Sequence, residues 1–314
     1  MSERAPRLPN FILGGTEKAG TTSVFDWLSG HPEVGASARK ETDFFREQYT
    51  GVHAIDVQRY AAHFEHADPS ARVLMEASPG YLGEAAVVAP RLRALLLDVK
   101  LLFILRDPID RLHSSYHFHR GRLNLPQTLS FEDYVRACLA FEQGLASAES
   151  IGLDAWYLRV LRFGCYADLL AIYREHVPAE RIKLMFFEQL RTDERGFMRE
   201  VSHFLGIDDA YWDGVEFRPS NVTFSARHRG LHRLAMRTNA IAEPIMRRYP
   251  AVKQGLVRAY KALNQEREGY DPMPSSTRAL LEEFYAPSLA RLEQMLGQAL
   301  PATWRRAPQG RVAA

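Results

Sequence analysis

Cysteine is scarce in this chain. Two residues, Cys138 and Cys165, occur among 314, too few for the disulfide framework of a small secreted domain or for a zinc cluster. Both read as small buried apolar side chains. No stretch reaches the roughly 20 apolar residues that a membrane-spanning helix needs. Met1 to Asn10 carries arginine and proline but no apolar core of signal-peptide length. The expectation is a cytoplasmic protein without stable membrane insertion. Net charge is small as well: 40 Lys and Arg against 38 Asp and Glu leave +2, without the basic excess of a nucleic-acid binder. No nucleic-acid partner is expected, and any anion site must come from local placement of Arg and Lys. Internal repeats, low-complexity tracts and a clear domain linker are also missing.

What remains is a globular composition, 46% hydrophobic and 25% charged, on a chain long enough to bury a sizeable core. Residues 1–314 are expected to form a single domain, with flexible ends at 1–9 and 306–314. The apolar pattern predicts strands at Phe11 to Gly14, Arg72 to Glu76, Lys100 to Leu105 and Ile182 to Phe187. Between them, helices are predicted over Thr21 to Leu28, Ala85 to Leu97, Ile109 to His119, Phe131 to Leu145 and Tyr157 to His176. Thr223 to Lys261 is Arg-rich and helical in pattern, and Ser275 to Leu296 reads as a long amphipathic helix. Strands alternating with helices imply an α/β fold with a central parallel sheet flanked by helices.

Two stretches carry chemistry. Gly15-Thr16-Glu17-Lys18-Ala19-Gly20-Thr21-Thr22 places two glycines five positions apart between a predicted strand and helix, so that backbone N–H groups can surround a phosphate. The hydroxyls of Thr21, Thr22 and Ser23 stand at the helix start, where the dipole already favours an anion. A Walker-type nucleotidase would carry Lys directly after the second Gly, whereas here Lys18 precedes Gly20. The plainer alternative is a glycine-rich turn with a solvated Lys18.

The second stretch, Arg106-Asp107-Pro108-Ile109-Asp110-Arg111-Leu112-His113-Ser114, puts Arg106 at the carboxyl end of a predicted strand, where open α/β sheets bind ligands. Arg111 and Ser114 are three apart on the ensuing helix and share a face that suits a phosphate monoester. Taken singly, Arg106 could instead pair with a local carboxylate and Ser114 could bond back to its own helix.

With both motifs in order, the chain resembles the PAPS-dependent sulfotransferases, which use 3'-phosphoadenosine 5'-phosphosulfate, and most of all their heparan-sulfate and bacterial carbohydrate branch. Lys40-Glu41-Thr42-Asp43-Phe44-Phe45, Glu76-Ala-Ser-Pro-Gly-Tyr81 and the tract Tyr166 to Ile207 add to the resemblance. It implies that Lys18, Ala19, Gly20, Thr21, Thr22 and Ser23 hold the 5'-phosphosulfate in a P-loop-like loop. It implies further that Arg106 and Ser114 bind the 3'-phosphate, Tyr166 lines the adenosine pocket, and Arg227, Arg229 and Gly230 close over the nucleotide. Glu41 is implied as the general base that takes the acceptor's proton during in-line attack on sulfur. Lys18 would steady the charge growing on the leaving oxygen. Lys40 ranks lower, because adjacent residues rarely point together. An exposed Glu41 beside a packed Phe pair, a Tyr166 that is simple core, and a charged helix start at Arg227 are the plainer alternatives.

The expected reaction is sulfuryl transfer from PAPS, with PAP as product and no metal required, to a hydroxyl or amine of a small-molecule, lipid or glycan acceptor. A homodimer is compatible with this reading. Two other functions stand beside it: an ATP- and Mg²⁺-dependent phosphotransferase, and a non-catalytic protein that binds PAP or PAPS.

Overall fold

The computed structural model describes residues 6–46, 56–218, 225–226, 265–266 and 272–304. Five strands form one sheet: β1 (Phe11–Gly15), β2 (Val34–Ala36), β3 (Val73–Ala77), β4 (Lys100–Leu105) and β5 (Ile182–Phe186). Their order is β2-β3-β1-β4-β5 and every pairing is parallel. The longer helices are α1 (Thr21–Ser29), α2 (Ala85–Leu95), α3 (Pro108–Gly121), α4 (Phe131–Glu142), α5 (Tyr166–His176), α6 (Glu194–Leu205) and α7 (Ser275–Leu296). The parallel sheet flanked by helices is the fold class that the alternating pattern implies.

Chain contacts divide the protein into two compact units, one of residues 1–111, 159–221 and 280–314, the other of 112–158 and 222–279. The first unit holds the sheet. Its central strands β1, β3 and β4 are buried on both faces, which is why they read as nearly continuous apolar runs rather than alternating ones. Ile12, Leu101, Phe103 and Leu105 face one core, where α2 contributes Val88 and Leu92 and α5 contributes Leu170 and Tyr173. Phe11, Leu13, Leu102 and Ile104 face the other, with Val24 and Leu28 of α1 and Phe197, Met198 and Val201 of α6. Each large apolar side chain fully buried in these layers contributes about 1.5–3 kcal/mol.

In the second unit, Tyr116 of α3 donates its hydroxyl to Leu129 O at 2.6 Å and Tyr134 of α4 donates to Tyr157 O at 2.7 Å. The Tyr116 and Tyr134 rings lie 5.5 Å apart. Ser225–Ala226 and Gln265–Glu266 form a two-stranded antiparallel pair.

Two local features differ from the sequence pattern. The predicted helix from Tyr157 to His176 is broken into a short helix, Ala155–Leu158, a 3-10 segment, Arg159–Gly164, and α5. The break has a physical reason: Val160 O accepts from Arg111 Nη2 at 2.8 Å and Leu161 O from the Tyr285 hydroxyl at 3.0 Å. A Cβ on Gly164 would also stand 2.8 Å from Pro108 Cβ and from the Tyr285 ring. The edge strand β2 has no sequence signature, since Val-Gly-Ala neither alternates nor runs long. It exists because it pairs with β3, and Gly35 lets it approach: a Cβ there would lie 2.6 Å from Ala67 Cβ.

Among the described residues no helix is long and apolar enough to cross a membrane. The Arg-rich stretch at Thr223 to Lys261 falls almost wholly outside the described residues, as do 1–5 and 305–314 of the two chain ends.

Candidate active site at the carboxyl edge of the sheet

In the strand order β2-β3-β1-β4-β5 the chain moves from β1 towards one edge of the sheet, then returns across it to β4 and on to the other edge. The crossover falls between β1 and β4, the place at which open α/β sheets bind ligands beyond the carboxyl ends of their strands. The glycine-bounded loop and the Arg106 segment continue directly from these two strands.

After β1 the loop turns sharply. Thr16 donates both its N–H, at 2.8 Å, and its hydroxyl, at 3.2 Å, to Ile104 O of β4. Lys18 has φ 68 and Gly20 φ 79, both left-handed. Gly20 is favoured by that φ, and a Cβ there would sit 2.5 Å from Leu190 Cδ2, so the Leu190 side chain would have to move. α1 then begins at Thr21 with no side-chain cap on its N-terminus and no acidic residue in its first turn. A helix start capped by no side chain, preceded by Lys18 and carrying Thr22 and Ser23 half-buried in its first turn, has the chemistry of an anion site. Ala19 is buried beneath this loop and packs with Val24 and Leu190 in the core.

Arg106 leaves the end of β4 and joins the two motifs directly: its Nη1 donates to Lys18 O at 2.8 Å. The guanidinium lies over the Phe187 ring, 4.8 Å from its centroid, a cation–π contact that holds the plane of the fork. Tyr166 is fully enclosed, and its hydroxyl donates to Arg106 O at 2.7 Å. Burial pushes the Tyr166 phenol up to about 12, so it stays a neutral donor. Its visible role is to support the Arg106 backbone. Asp107 caps α3, its Oδ1 accepting from the N–H of Ile109 at 2.8 Å and of Asp110 at 3.2 Å.

Arg111 serves differently from the shared-face reading with Ser114. It is 1% exposed and donates to Val160 O, so it bolts the Arg159–Gly164 segment in place. Ser114 lies on α3, beyond the point where that helix enters the second unit, and is buried. Arg227, Arg229 and Gly230 lie outside the described residues.

Glu41, in the segment that follows β2, is held at the carboxyl end of β3. Its N–H donates to Ala77 O, the last carbonyl of that strand, at 2.8 Å, and β3 pairs with β1 through Leu13 and Ala77. The Glu41 side chain is 54% exposed, and its Oε1 stands 2.6 Å from Lys40 Nζ. The adjacent pair therefore does meet, contrary to the expectation that neighbours in sequence point apart. A left-handed φ of 61 at Glu41 makes this turn. Phe45 is fully buried and Phe44 stacks on Tyr60, with centroids 4.0 Å apart, as expected of a packed pair.

A second acid group has no role in the sequence reading, although its segment belongs to the family resemblance. Glu76, on β3, is wholly buried and its Oε1 accepts from Thr42 Oγ1 at 2.6 Å, Ser78 Oγ at 2.5 Å and the Tyr81 hydroxyl at 2.8 Å. The Tyr60 hydroxyl donates to Oε2. Burial raises the Glu76 carboxyl above its ordinary range, while these four donors pull it back. A glutamate inside a strand otherwise made of apolar residues is the available signal, since a buried carboxylate must find donors. Asp43 nearby is also raised by burial, against the attraction of Arg46, whose Nη1 lies 3.2 Å from Asp43 Oδ1.

The family profile described as "Sulfotransferase domain" matches residues 8–219, more than half of the chain. The chain belongs to the sulfotransferase family. Among its relatives, the membrane-associated sulfotransferase kil1 of Dictyostelium discoideum is 26% identical over 285 residues, covering 68% of this chain and 59% of its own length. The heparan sulfate glucosamine 3-O-sulfotransferase 3A1 of Mus musculus is 28% identical over 210 residues, covering 66% of this chain and 48% of its own. The sulfotransferase chain thus spans about half of the curated relatives it matches first. The human 3-O-sulfotransferase 6 is 26% identical over 298 residues, 93% of this chain and 73% of that one. Among solved structures, a sulfotransferase from Alicyclobacillus acidocaldarius superposes with a TM-score of 0.66 at 23% identity, covering 96% of this chain and all of the other. That likeness establishes the sulfotransferase fold.

Proposed function

We propose that this protein transfers the sulfuryl group of PAPS to a hydroxyl or amine of a glycan, lipid or small-molecule acceptor. The observation that carries the reading is the bond from Arg106 Nη1 to Lys18 O, which ties the phosphate-type loop after β1 to the arginine after β4 at the crossover of the sheet. In this assignment the loop from Lys18 to Ser23 holds the 5'-phosphosulfate, with its amides and the α1 dipole facing the anion. The uncapped, acid-free start of α1 fits such a group. Arg106 takes the 3'-phosphate, and the family resemblance alone assigns Ser114, Arg227, Arg229 and Gly230 to nucleotide binding.

Sulfuryl transfer needs a base for the acceptor proton and a positive charge where the leaving oxygen develops its own. Glu41 is the base and Lys18 the positive charge. Lys40 touches Glu41 and adds positive charge beside that carboxylate. The bound nucleotide supplies the sulfuryl group itself, and the residues named here bind, orient and move the proton. Family relatives named for heparan sulfate make glycans the first acceptors to try.

The test is a thermal-shift titration. A ligand selective for the folded state stabilises it by about 2.7 kcal/mol at 100 times its Kd, so PAP should raise Tm clearly and ATP much less. Equal shifts from both would remove the 3'-phosphate assignment. Transfer is then followed by PAP release with desulfated heparan oligosaccharides, phenols and long-chain alcohols as acceptors. That activity should survive EDTA, because Lys18 and the loop amides supply the field that Mg²⁺ supplies in phosphoryl transfer. Loss in EDTA with recovery in Mg²⁺ would favour the phosphotransferase instead.

A further inference from the structure

We infer that Glu76 is a positioning residue for Glu41, acting through a cage of hydroxyls that fixes the backbone of residues 42–45. The inference rests on Glu41 being the base. Its geometry lies wholly within the first unit.

Glu41 itself is weakly held: its side chain is 54% exposed and its backbone sits at φ 61. An exposed ion pair with Lys40 supplies little rigidity. Three of the ties on the residues just after Glu41 end on Glu76. Thr42 Oγ1 donates to Glu76 Oε1 at 2.6 Å. The Asp43 N–H donates at 3.1 Å to Ser78 Oγ, which in turn donates to Glu76 at 2.5 Å. The Phe45 N–H donates at 3.2 Å to the Tyr81 hydroxyl, which in turn donates to Glu76 at 2.8 Å. Each relay hydroxyl accepts one backbone N–H and must direct its own proton elsewhere, and an acceptor at Glu76 is what orients it.

Carboxylate oxygens accept several such bonds at once, which no neutral side chain of that size does. Tyr60 closes the far oxygen, and its ring stacks on Phe44 of the same loop. Asp43 also has a left-handed φ, 52, so the backbone from Glu41 to Asp43 holds two conformations that side-chain-bearing residues rarely adopt unless their surroundings impose them. The cage is that imposition. It converts a turn that would otherwise relax into a fixed platform one residue after the base.

The test uses the full chain and two substitutions that keep shape. Thr42→Val and Tyr81→Phe each remove one hydroxyl donor while keeping a side chain of closely similar shape. Hydrogen exchange of the peptide covering residues 39–46 should speed up by about tenfold or more in both, with the peptides of β1 and β4 unchanged. PAP release with the best acceptor of the panel should show kcat lowered about 5- to 20-fold at an unchanged KM for PAPS. Thr42→Ser restores the hydroxyl and should bring both readouts back. Glu76→Gln should reproduce the split in weaker form, since it keeps one acceptor oxygen. Unchanged exchange in Thr42→Val and Tyr81→Phe would overturn the inference. So would faster exchange at normal kcat, or equal losses in Thr42→Val and Thr42→Ser, which would signify packing alone. Exchange reads the loop without any reaction: a wild-type protein that transfers nothing would refute the proposed function, while the exchange result would still decide whether Glu76 orders the loop.

Discussion

Glu41, the proposed base, presents an exposed carboxylate beside the Lys40 ammonium, and its backbone N–H is bonded to the last carbonyl of a buried strand. Glu41→Gln keeps the size and removes the carboxylate's proton affinity. Turnover should fall by roughly 10²-fold, the range for a lost general base, while PAP binding stays near wild type. Steady-state kinetics paired with a PAP titration check this; a large loss of PAP affinity would mean that Glu41 organises the Lys18 loop instead. Arg106 makes the complementary case. Its fork spans Lys18 O and the Phe187 face, and its proposed ligand is the 3'-phosphate. Arg106→Ala should therefore weaken PAP far more than adenosine 5'-phosphosulfate, which lacks that group. Calorimetric titration of both ligands would show it, and parallel losses would reassign Arg106 to the loop's architecture.

At the scale of elements, the turn between β1 and α1 depends on one glycine. Gly20 has φ 79 and no room for a Cβ beside Leu190. Gly20→Ala should cost about 2–5 kcal/mol, the sum of left-handed strain of about 1–2 kcal/mol and overpacking of about 1–3 kcal/mol. Urea denaturation with and without PAP separates the two consequences: a lower midpoint and a smaller PAP-induced shift. A variant as stable and as responsive as wild type would show that the loop does not need this conformation. The break before α5 makes a related point. Gly164 and two carbonyls that serve Arg111 and Tyr285 interrupt what would otherwise be a continuous amphipathic helix.

On the scale of the whole molecule, the two cysteines report on the two units separately. Cys138, on α4 in the second unit, is fully buried, and burial pushes its thiol up to about 12. The nucleophile is the thiolate, so at pH 8 in the absence of denaturant iodoacetamide should leave Cys138 essentially unlabelled, while Cys165 of the first unit is half-buried and labels faster. Peptide mass spectrometry reads both sites in one experiment. Rapid labelling of Cys138 would show that the second unit opens readily around α4.

The sequence by itself determined the sheet's long strands, because a strand buried on both faces is mostly apolar: Lys100 to Leu105 has the same bounds in pattern and in structure. It also marked the two loops proposed to hold the nucleotide's anions, whose glycines, lysine and arginine are local in spacing, and it marked Lys40 to Phe45 as a packed segment. Tertiary structure decided what long-range contact decides. β2 is a strand only because β3 lies beside it. Arg111 became an internal bolt because Val160 O, 49 positions away, is its acceptor. Lys40 met Glu41 because a left-handed turn, imposed from outside the segment, swung two adjacent side chains together. Glu76, by pattern alone a charge out of place in an apolar strand, acquired its meaning from Thr42, Tyr60, Ser78 and Tyr81, which chain folding brings to one carboxylate. Periodicity and local spacing record which face of an element is buried; they do not record which buried donor finds which acceptor, and at this site that pairing places the chemistry.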